Sequence, residues 1–271
     1  MSGTSIPCSV QVLTRNSGEN LRACLESLMQ FAEVVVLDGY STDDTREIAA
    51  QFSNVRLMDQ NKDYLDADGR ITDFAAVRNE GLKAAAYDWI LMIDSDEIVQ
   101  PVFVEEVAQV VRLQPPGAYR VFRRFVAGGV PVEFCAGYPA YHIRLFHRSV
   151  ADGYGKSVHE KVLLHPGQIV RTLQSELLVP LPPACELNPK YHRYLQMEVR
   201  RLGTVPWGRW FRWILYRNMR SVAALCVRVV VLRILPRKGK RMPFAYEWQA
   251  IRHLLQTTWY TFPLFSRRVL P

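Results

Sequence analysis

The chain has 271 residues, 49% of them apolar and 22% charged, a composition that excludes a disordered segment and allows a sizeable core. Five scattered cysteines (Cys8, Cys24, Cys135, Cys185, Cys226), with no C-x-x-C pair, argue against a disulfide framework or a zinc ribbon and for a reducing compartment. The net charge of +8 is unevenly placed: Lys190 to Pro271 carries 17 Lys and Arg against two acids, whereas residues 1–189 are net −7. A basic tail on an acidic body predicts a polyanionic partner, a membrane surface or nucleic acid. The opening MSGTSIPCSV has neither a basic start nor an apolar run, so no secretory leader is expected.

In chain order, CSVQVLT (8–14), AEVVVLD (32–38), NVRLMD (54–59) and DWILMID (88–94) read as strands. They are short, branched and apolar almost throughout, as strands covered on both faces should be. Leu21, Leu25 and Leu28 mark one face of a helix between the first two. Ser41 with Asp44 predicts a capping box for a second helix, and a third is expected over about Thr72 to Ala86. This alternation predicts an α/β fold with a mostly parallel sheet. Ligands of such sheets sit beyond the carboxyl ends of the strands, where the chain places Thr14-Arg15-Asn16, Asp38-Gly39, Asp59 and Asp94-Ser95-Asp96. With no G-x-G-x-x-G and no P-loop lysine, a nucleotide there would be held by carboxylates and a metal.

Two D-x-D tripeptides occur. Asp66-Ala67-Asp68 precedes Gly69 with no apolar run leading in, and reads as a solvated turn. Asp94-Ser95-Asp96 ends a buried strand, and its carboxylates either cap the next helix or share a hard divalent cation, Mg²⁺ or Mn²⁺.

Beyond a helix starting near Pro101, AYRVFRRFV, YHIRLFHR and SVHEKVLL read as strands of a mixed or antiparallel extension. PLPPACELNP (180–189) is a linker or domain edge, dividing a domain over 1–180 from a basic helical region over 190–271. From Trp207 to Leu235, Arg209, Arg217, Arg220 and Arg228 fall within about 100° of a helical wheel, with Trp207, Phe211, Ile214, Leu225, Val229 and Leu232 opposite. Arg228 and Arg233 interrupt the apolar run, so an interfacial helix is expected rather than a spanning one. No nucleic-acid-binding motif accompanies the tail.

The ordered motifs resemble the family 2 glycosyltransferases of the glycosyltransferase-A (Rossmann-like) fold, most closely the bacterial lipopolysaccharide-core β-glucosyltransferase type. VQVLTRNSGENLRACLESL resembles the family's opening strand, T-[KR]-N turn and helix. VVVLDGYSTDDTREIA is similar to its D-x-G-S-T-D-x-T segment, although Tyr40 stands where a Gly-Ser step is usual. AAVRNEGLKAAAYDWILMIDSDE resembles its R-N, alanine helix and D-x-D-E run, and GYPAYHIRLFHR with VHE its acceptor-side signature.

The resemblance implies a metal-dependent, inverting transferase, using UDP-glucose and a lipid-linked envelope glycan acceptor at the inner face of the cytoplasmic membrane. A polyprenyl-phosphate acceptor, or a non-catalytic membrane-binding module on a decayed transferase fold, are its alternatives. Thr14, Asp38 and Arg78 would hold the nucleoside, Asp94 the ribose, and Asp96 the metal (Mg²⁺ or Mn²⁺). Glu160 would be the base, His159 would orient it or ligate metal, and Arg144 would meet an anionic group of the acceptor. Glu133 and Asp152 are rival bases.

Overall fold

A computed structural model of the protein describes residues 5–157, 160–183, 186–202, 205–236 and 238–262. Two compact units emerge: residues 1–124 with 140–179, and residues 125–139 with 180–271. The second therefore takes in a short segment, Phe125–Pro139, from inside the region that the sequence assigns to a single domain.

In the first unit β1 (Ile6–Thr14), β2 (Phe31–Asp38), β3 (Val55–Asp59) and β4 (Trp89–Asp94) alternate with α1 (Gly18–Ser27), α2 (Thr45–Ala49) and α3 (Phe74–Ala84). After α4 (Pro101–Leu113) follow β5 (Ala118–Ala127), β6 (Val130–Pro131), β7 (Tyr141–His147), β8 (Ala151–Gly155), β9 (Lys161–Leu164) and β10 (Val170–Pro180). The main sheet runs β10-β5-β7-β4-β1-β2-β3, with β6 paired to β5 and β8-β9 a separate ribbon. β3, β2, β1 and β4 are mutually parallel, and β7 joins β4 antiparallel, giving the expected mostly parallel α/β sheet.

Its strands are apolar throughout because both faces are covered. Val10, Val12, Val34 and Val36 pack with Leu21, Cys24 and Leu25 of α1 and Phe103, Val104 and Val107 of α4. On the other face Val35 and Leu37 pack against Val77 of α3. Two polar side chains, Ser9 on β1 and Glu33 on β2, are buried but satisfied. The Ser9 hydroxyl donates to Glu33 and accepts from the Tyr87 amide, while Glu33 also accepts from the Ala86 amide.

Some local expectations change. The second helix begins at Thr45, not at Ser41, and its N-cap residue Asp44 makes no side-chain cap bond. Ser41 instead gives both its amide and its hydroxyl to the Asp38 carboxylate, a closer acceptor than the helix end. The third helix is trimmed to Phe74–Ala84, where the Asp73 carboxylate accepts the Ala76 amide as N-cap. Asp66 accepts the Asp68 and Arg70 amides around Gly69, which has φ +70°, the solvated turn its sequence suggests. β8 and β10 were not anticipated. β10 buries Leu173, Leu177 and Val179 on one face, but the polar Ser175 stands between them on that face and interrupts the apolar signal.

In the second unit α5 (Leu187–Leu202), α6 (Trp207–Arg209), a π-helical stretch (Trp210–Leu215), α7 (Tyr216–Ile234) and α8 (Phe244–Tyr260) account for most of the chain. Trp210, Ile214 and Val205 form one small core, and Ala127, Val132 and Met242 another. Among the described residues no helix is long and apolar enough to cross a membrane.

Leu91 is fully buried in the centre of β4 within the main core. Leu91→Ala should lower unfolding free energy by about 3 kcal/mol in a guanidinium titration, the usual cost of such a cavity.

Candidate functional site

Register places the acidic strand ends in one row. Thr14 lies beside Asp38, Asp38 beside Asp59, and Leu13 beside Asp94. The row stands at the carboxyl edge of the parallel strands, where the crossover helices leave room for a ligand.

The turn after β1 is closed by the loop after β2. Ser41 accepts the Asn16 amide at 2.8 Å, Thr45 the Ser17 amide at 2.8 Å, and Asp43 the Gly18 amide at 3.0 Å, while Asn16 accepts the Thr42 amide at 2.8 Å. Asp43, held below the usual carboxylate range by bonds from Thr45 and Gly18 that outweigh desolvation, thus occupies the N-terminus of α1. That terminus is where a glycine-rich nucleotide fold would seat phosphate. Tyr40 has φ +57°, the left-handed conformation that glycine adopts without strain. Its exposed ring lies under the Lys62 ammonium, 5.0 Å from the centroid.

Asp38 is fully buried, and its carboxylate takes the Ser41 amide and hydroxyl and the Arg46 guanidinium at 2.8 Å. The Thr14 hydroxyl, also buried, has no hydrogen-bond partner.

The end of β4 is the most charged place in the unit. Asp94 meets Arg144 of β7 at 2.9 Å, Arg78 of α3 at 3.2 Å and Arg123 of β5 at 3.6 Å. Glu97, fully buried three residues on, accepts the Asp94 amide at 3.0 Å and pairs with Arg144 at 3.0 Å and Arg123 at 3.3 Å. Desolvation works against ionisation of Asp94, but Arg144, Arg78 and Arg123 hold its carboxyl far below the ordinary range. For Glu97 burial wins over Arg144, and with help from Asp94 it pushes the pKa up to about 7. Arg144 itself is raised, because Asp94 and Glu97 outweigh its desolvation.

Arg78 is 1% exposed, so the helix carries it into the sheet rather than into solvent. Its Nη1 donates to the Gln11 carbonyl at 3.0 Å, and its Nε lies 3.6 Å from Glu160. Asn79 explains the rest of the R-N pair: its amide donates to the Tyr154 carbonyl at 3.0 Å and accepts the Tyr154 amide at 2.8 Å. It stands in for a strand partner and fixes β8, five residues before Glu160.

Of the residues singled out from sequence, Arg78, Asp94, Glu160 and Arg144 share this cluster, and Thr14 and Asp38 share the strand-edge row. Arg144, expected to face an acceptor, is buried with its guanidinium turned to Asp94 and Glu97. Asp96 is exposed on the turn beyond them. His159 lies outside the described residues. Of the rival bases, Asp152 pairs with His165 at 3.0 Å on the β8–β9 ribbon, and Glu133 belongs to the second unit. Arg123 was missed, although an arginine in the middle of the half-buried strand AYRVFRRFV was a signal of an ion pair. Glu97 was noticed only as a charge, not as the group that braces the turn.

Among the described residues no group of three His, Cys, Asp or Glu side chains could cage a metal ion. The donor set nonetheless fits a hard cation that arrives with its ligand. Asp94 is occupied by arginines, Asp96 is an exposed carboxylate-bearing residue on the turn, and Mg²⁺-type ions commonly take one or two carboxylates plus phosphate oxygens and water.

Two tests of this arrangement follow from its geometry. Glu97, ordinarily near 4.5 and about 7 in the fold, makes the native state bind the extra proton between those values. Its contribution is therefore fully present below pH 4.5 and lost as pH rises through 7. Glu97→Gln should flatten that fall in a series of denaturation midpoints from pH 4.5 to 8. Gly153 has φ +110°, and a Cβ there would lie 2.5 Å from the Asn79 carboxamide oxygen. Gly153→Ala should cost about 2 kcal/mol or more by the same measurement.

Residues 9–131 match the family model described as Glycosyl transferase family 2. Among curated relatives, a TPR repeat-containing protein of Synechococcus elongatus is 38% identical over 90 residues, 33% of this chain and 20% of that protein. The SPbeta prophage-derived glycosyltransferase SunS of Bacillus subtilis is 31% identical over 111 residues, 40% of this chain and 24% of that protein. The chain thus spans between a fifth and a quarter of the length of these relatives. Among solved structures, the mannosyltransferase PcManGT from Pyrobaculum calidifontis, in complex with GDP-Man and Mn2+, aligns over 97% of this chain and 88% of its own. Its TM-score is 0.57 at 15% identity. The parallel sheet and its acidic carboxyl edge lie largely within the residues that match the Glycosyl transferase family 2 model, and the likeness to the solved structure is one of fold.

Proposed function

We propose that the chain is a metal-dependent, inverting glycosyltransferase that moves a sugar, glucose from UDP-glucose, onto a lipid-linked cell-envelope glycan such as the lipopolysaccharide core. The observation that carries this reading is the grouping at one sheet edge: Thr14, Asp38 and Asp94 in a row, Asp96 projecting past it, and Arg78 bridging Asp94 to Glu160. Buried donors without a hydrogen-bond partner support it too. Among them are the Thr14 hydroxyl and the Nε atoms of Arg123 and Arg144, groups a buried site leaves unmatched only for a reason.

In this reading Thr14 and Asp38 hold the nucleoside, and Asp94, oriented by three arginines, faces the ribose. Asp96 is the carboxylate for Mg²⁺ or Mn²⁺, which when bound would neutralise charge developing on the diphosphate. Glu160 takes the proton from an acceptor hydroxyl as that oxygen attacks the anomeric carbon. The bond from that carbon to the diphosphate oxygen breaks, and the nucleoside diphosphate leaves with the electron pair. Arg78 positions Glu160 through its Nε. Arg144 is reassigned from the acceptor to positioning Asp94 and Glu97. The basic second unit places the enzyme at the inner face of the cytoplasmic membrane, beside a lipid-linked acceptor.

A thermal-shift series over nucleotide sugars, with and without Mn²⁺, checks the donor, since a ligand of the native state raises the midpoint by mass action. UDP-glucose should stabilise the wild type more with Mn²⁺ than without, and Asp96→Ala should lose the metal-dependent part. Glu160→Gln should keep donor binding and lower transfer by about 10²-fold or more. Undiminished metal-dependent turnover in Asp96→Ala would refute its role. Core oligosaccharide offered against polyprenyl phosphate separates the two acceptor classes.

A further inference from the structure

The face of α7 that the helical wheel assigns to a membrane is turned inward. Asn218, 1% exposed, donates to the Thr258 hydroxyl at 2.9 Å and to the Leu254 carbonyl at 3.4 Å, and Trp210 Nε1 donates to the Thr258 carbonyl at 3.3 Å. These bonds to α8 fix the roll of α7. Ile214 and Val229 are buried, and Leu225 and Leu232 are half-buried. The π-helical stretch Trp210–Leu215 adds a residue to a turn, so Trp207 and Phe211 leave the line that a regular helix would draw and are exposed.

The opposite side of α7 is apolar as well. Tyr216, Val227, Val230 and Ile234, all more than half exposed, are spaced by eleven, three and four residues and so share one stripe. Exposed Arg220 lies at its edge, where a long stem can lie along apolar surface and lift its charge clear, and exposed Arg217 and Arg228 lie further round on the same side, Arg228 also donating to the Ala136 carbonyl at 3.3 Å. From residue 187 to 262 the acids are Glu198, which pairs with His253 at 3.3 Å, and Glu247, buried against Arg233 at 3.4 Å. No exposed acidic group therefore opposes an anionic surface along these helices. Beside the stripe a cleft of about 510 Å³ is lined by Trp210, Leu215, Met219, Leu255, Trp259 and Phe262. Leu255 and Trp259 belong to an exposed row on α8 that begins with Phe244 and Trp248.

We propose that the outward stripe of α7, with the apolar cleft beside it, docks the protein onto an anionic lipid bilayer, a lipid alkyl chain entering the cleft. This rests on the membrane-bound reading above and replaces the face assigned to it. α7 lies in the plane of the interface, its apolar side chains among the acyl chains and its arginines at the headgroups.

The test uses the full chain and sedimentation with vesicles of phosphatidylcholine, with or without phosphatidylglycerol, some carrying brominated acyl chains. Five of the six tryptophans lie in the second unit, so brominated chains should quench the intrinsic fluorescence. V227E/V230E should lower partitioning onto anionic vesicles at least tenfold and lose the quenching. R217E/R228E should lose the preference for phosphatidylglycerol. Val102→Glu, at an exposed position of α4, should bind like the wild type. Circular dichroism melting checks folding, and Ile234→Glu in the last turn of α7 provides a second variant with the same expected loss. Folded V227E/V230E that partitions like the wild type overturns the proposal. So does a dimer that becomes a monomer in this variant with vesicle binding unchanged, which assigns the stripe to a second copy. Wild-type protein that ignores both vesicle types overturns the membrane reading itself. Donor turnover with a soluble acceptor, measured alongside, should be equal in wild type and V227E/V230E, so failure of the transferase reading registers separately.

Discussion

The first unit depends on the charge balance at the end of β4. Asp94 ends β4, Glu97 and Glu160 come from the loops around the sheet, and Arg78, Arg123 and Arg144 from α3, β5 and β7. Each arginine is mostly or fully buried, and a buried guanidinium is tolerable only while carboxylates face it. Such a cluster is weak evidence for stability but strong evidence for a defined geometry, because no member can turn away without stranding a charge. It joins a helix and three strands at one point, and so fixes the turn on which Asp96 stands. When Glu97 takes up its proton, the arginines outnumber the ionised carboxylates by one.

The parallel sheet was legible because its signal is redundant. Four apolar runs, three of them ending in aspartate, needed only to pair in parallel for Thr14, Asp38, Asp59 and Asp94 to align. Arg78 and Asn79 were legible as a motif but not as a mechanism. One reaches through the core to Asp94 and Glu160, and the other replaces a backbone partner for β8, contacts across 16 to 82 positions of sequence that no local pattern encodes. The capping box failed for a related reason. Ser41 had two possible roles, and the buried Asp38 carboxylate needed its hydrogen bonds more than the exposed amides of residues 42–44 did.

The tail shows the limit of a helical wheel. A wheel assumes one roll angle and one period, whereas α7 has its roll set by the buried Asn218 amide and its entry shifted by a π-helical turn. Of the apolar residues counted on its far side, Ile214 and Val229 are buried and Leu225 and Leu232 half-buried, whereas Trp207 and Phe211 are exposed. What then remains outside is a second apolar stripe on the same helix, which a two-faced amphipathic picture does not foresee. A helix apolar on nearly all sides is ordinarily buried on all sides. Here it is buried on one side only, with arginines along the edge of the other, and that combination suits a boundary between lipid and water better than either phase alone.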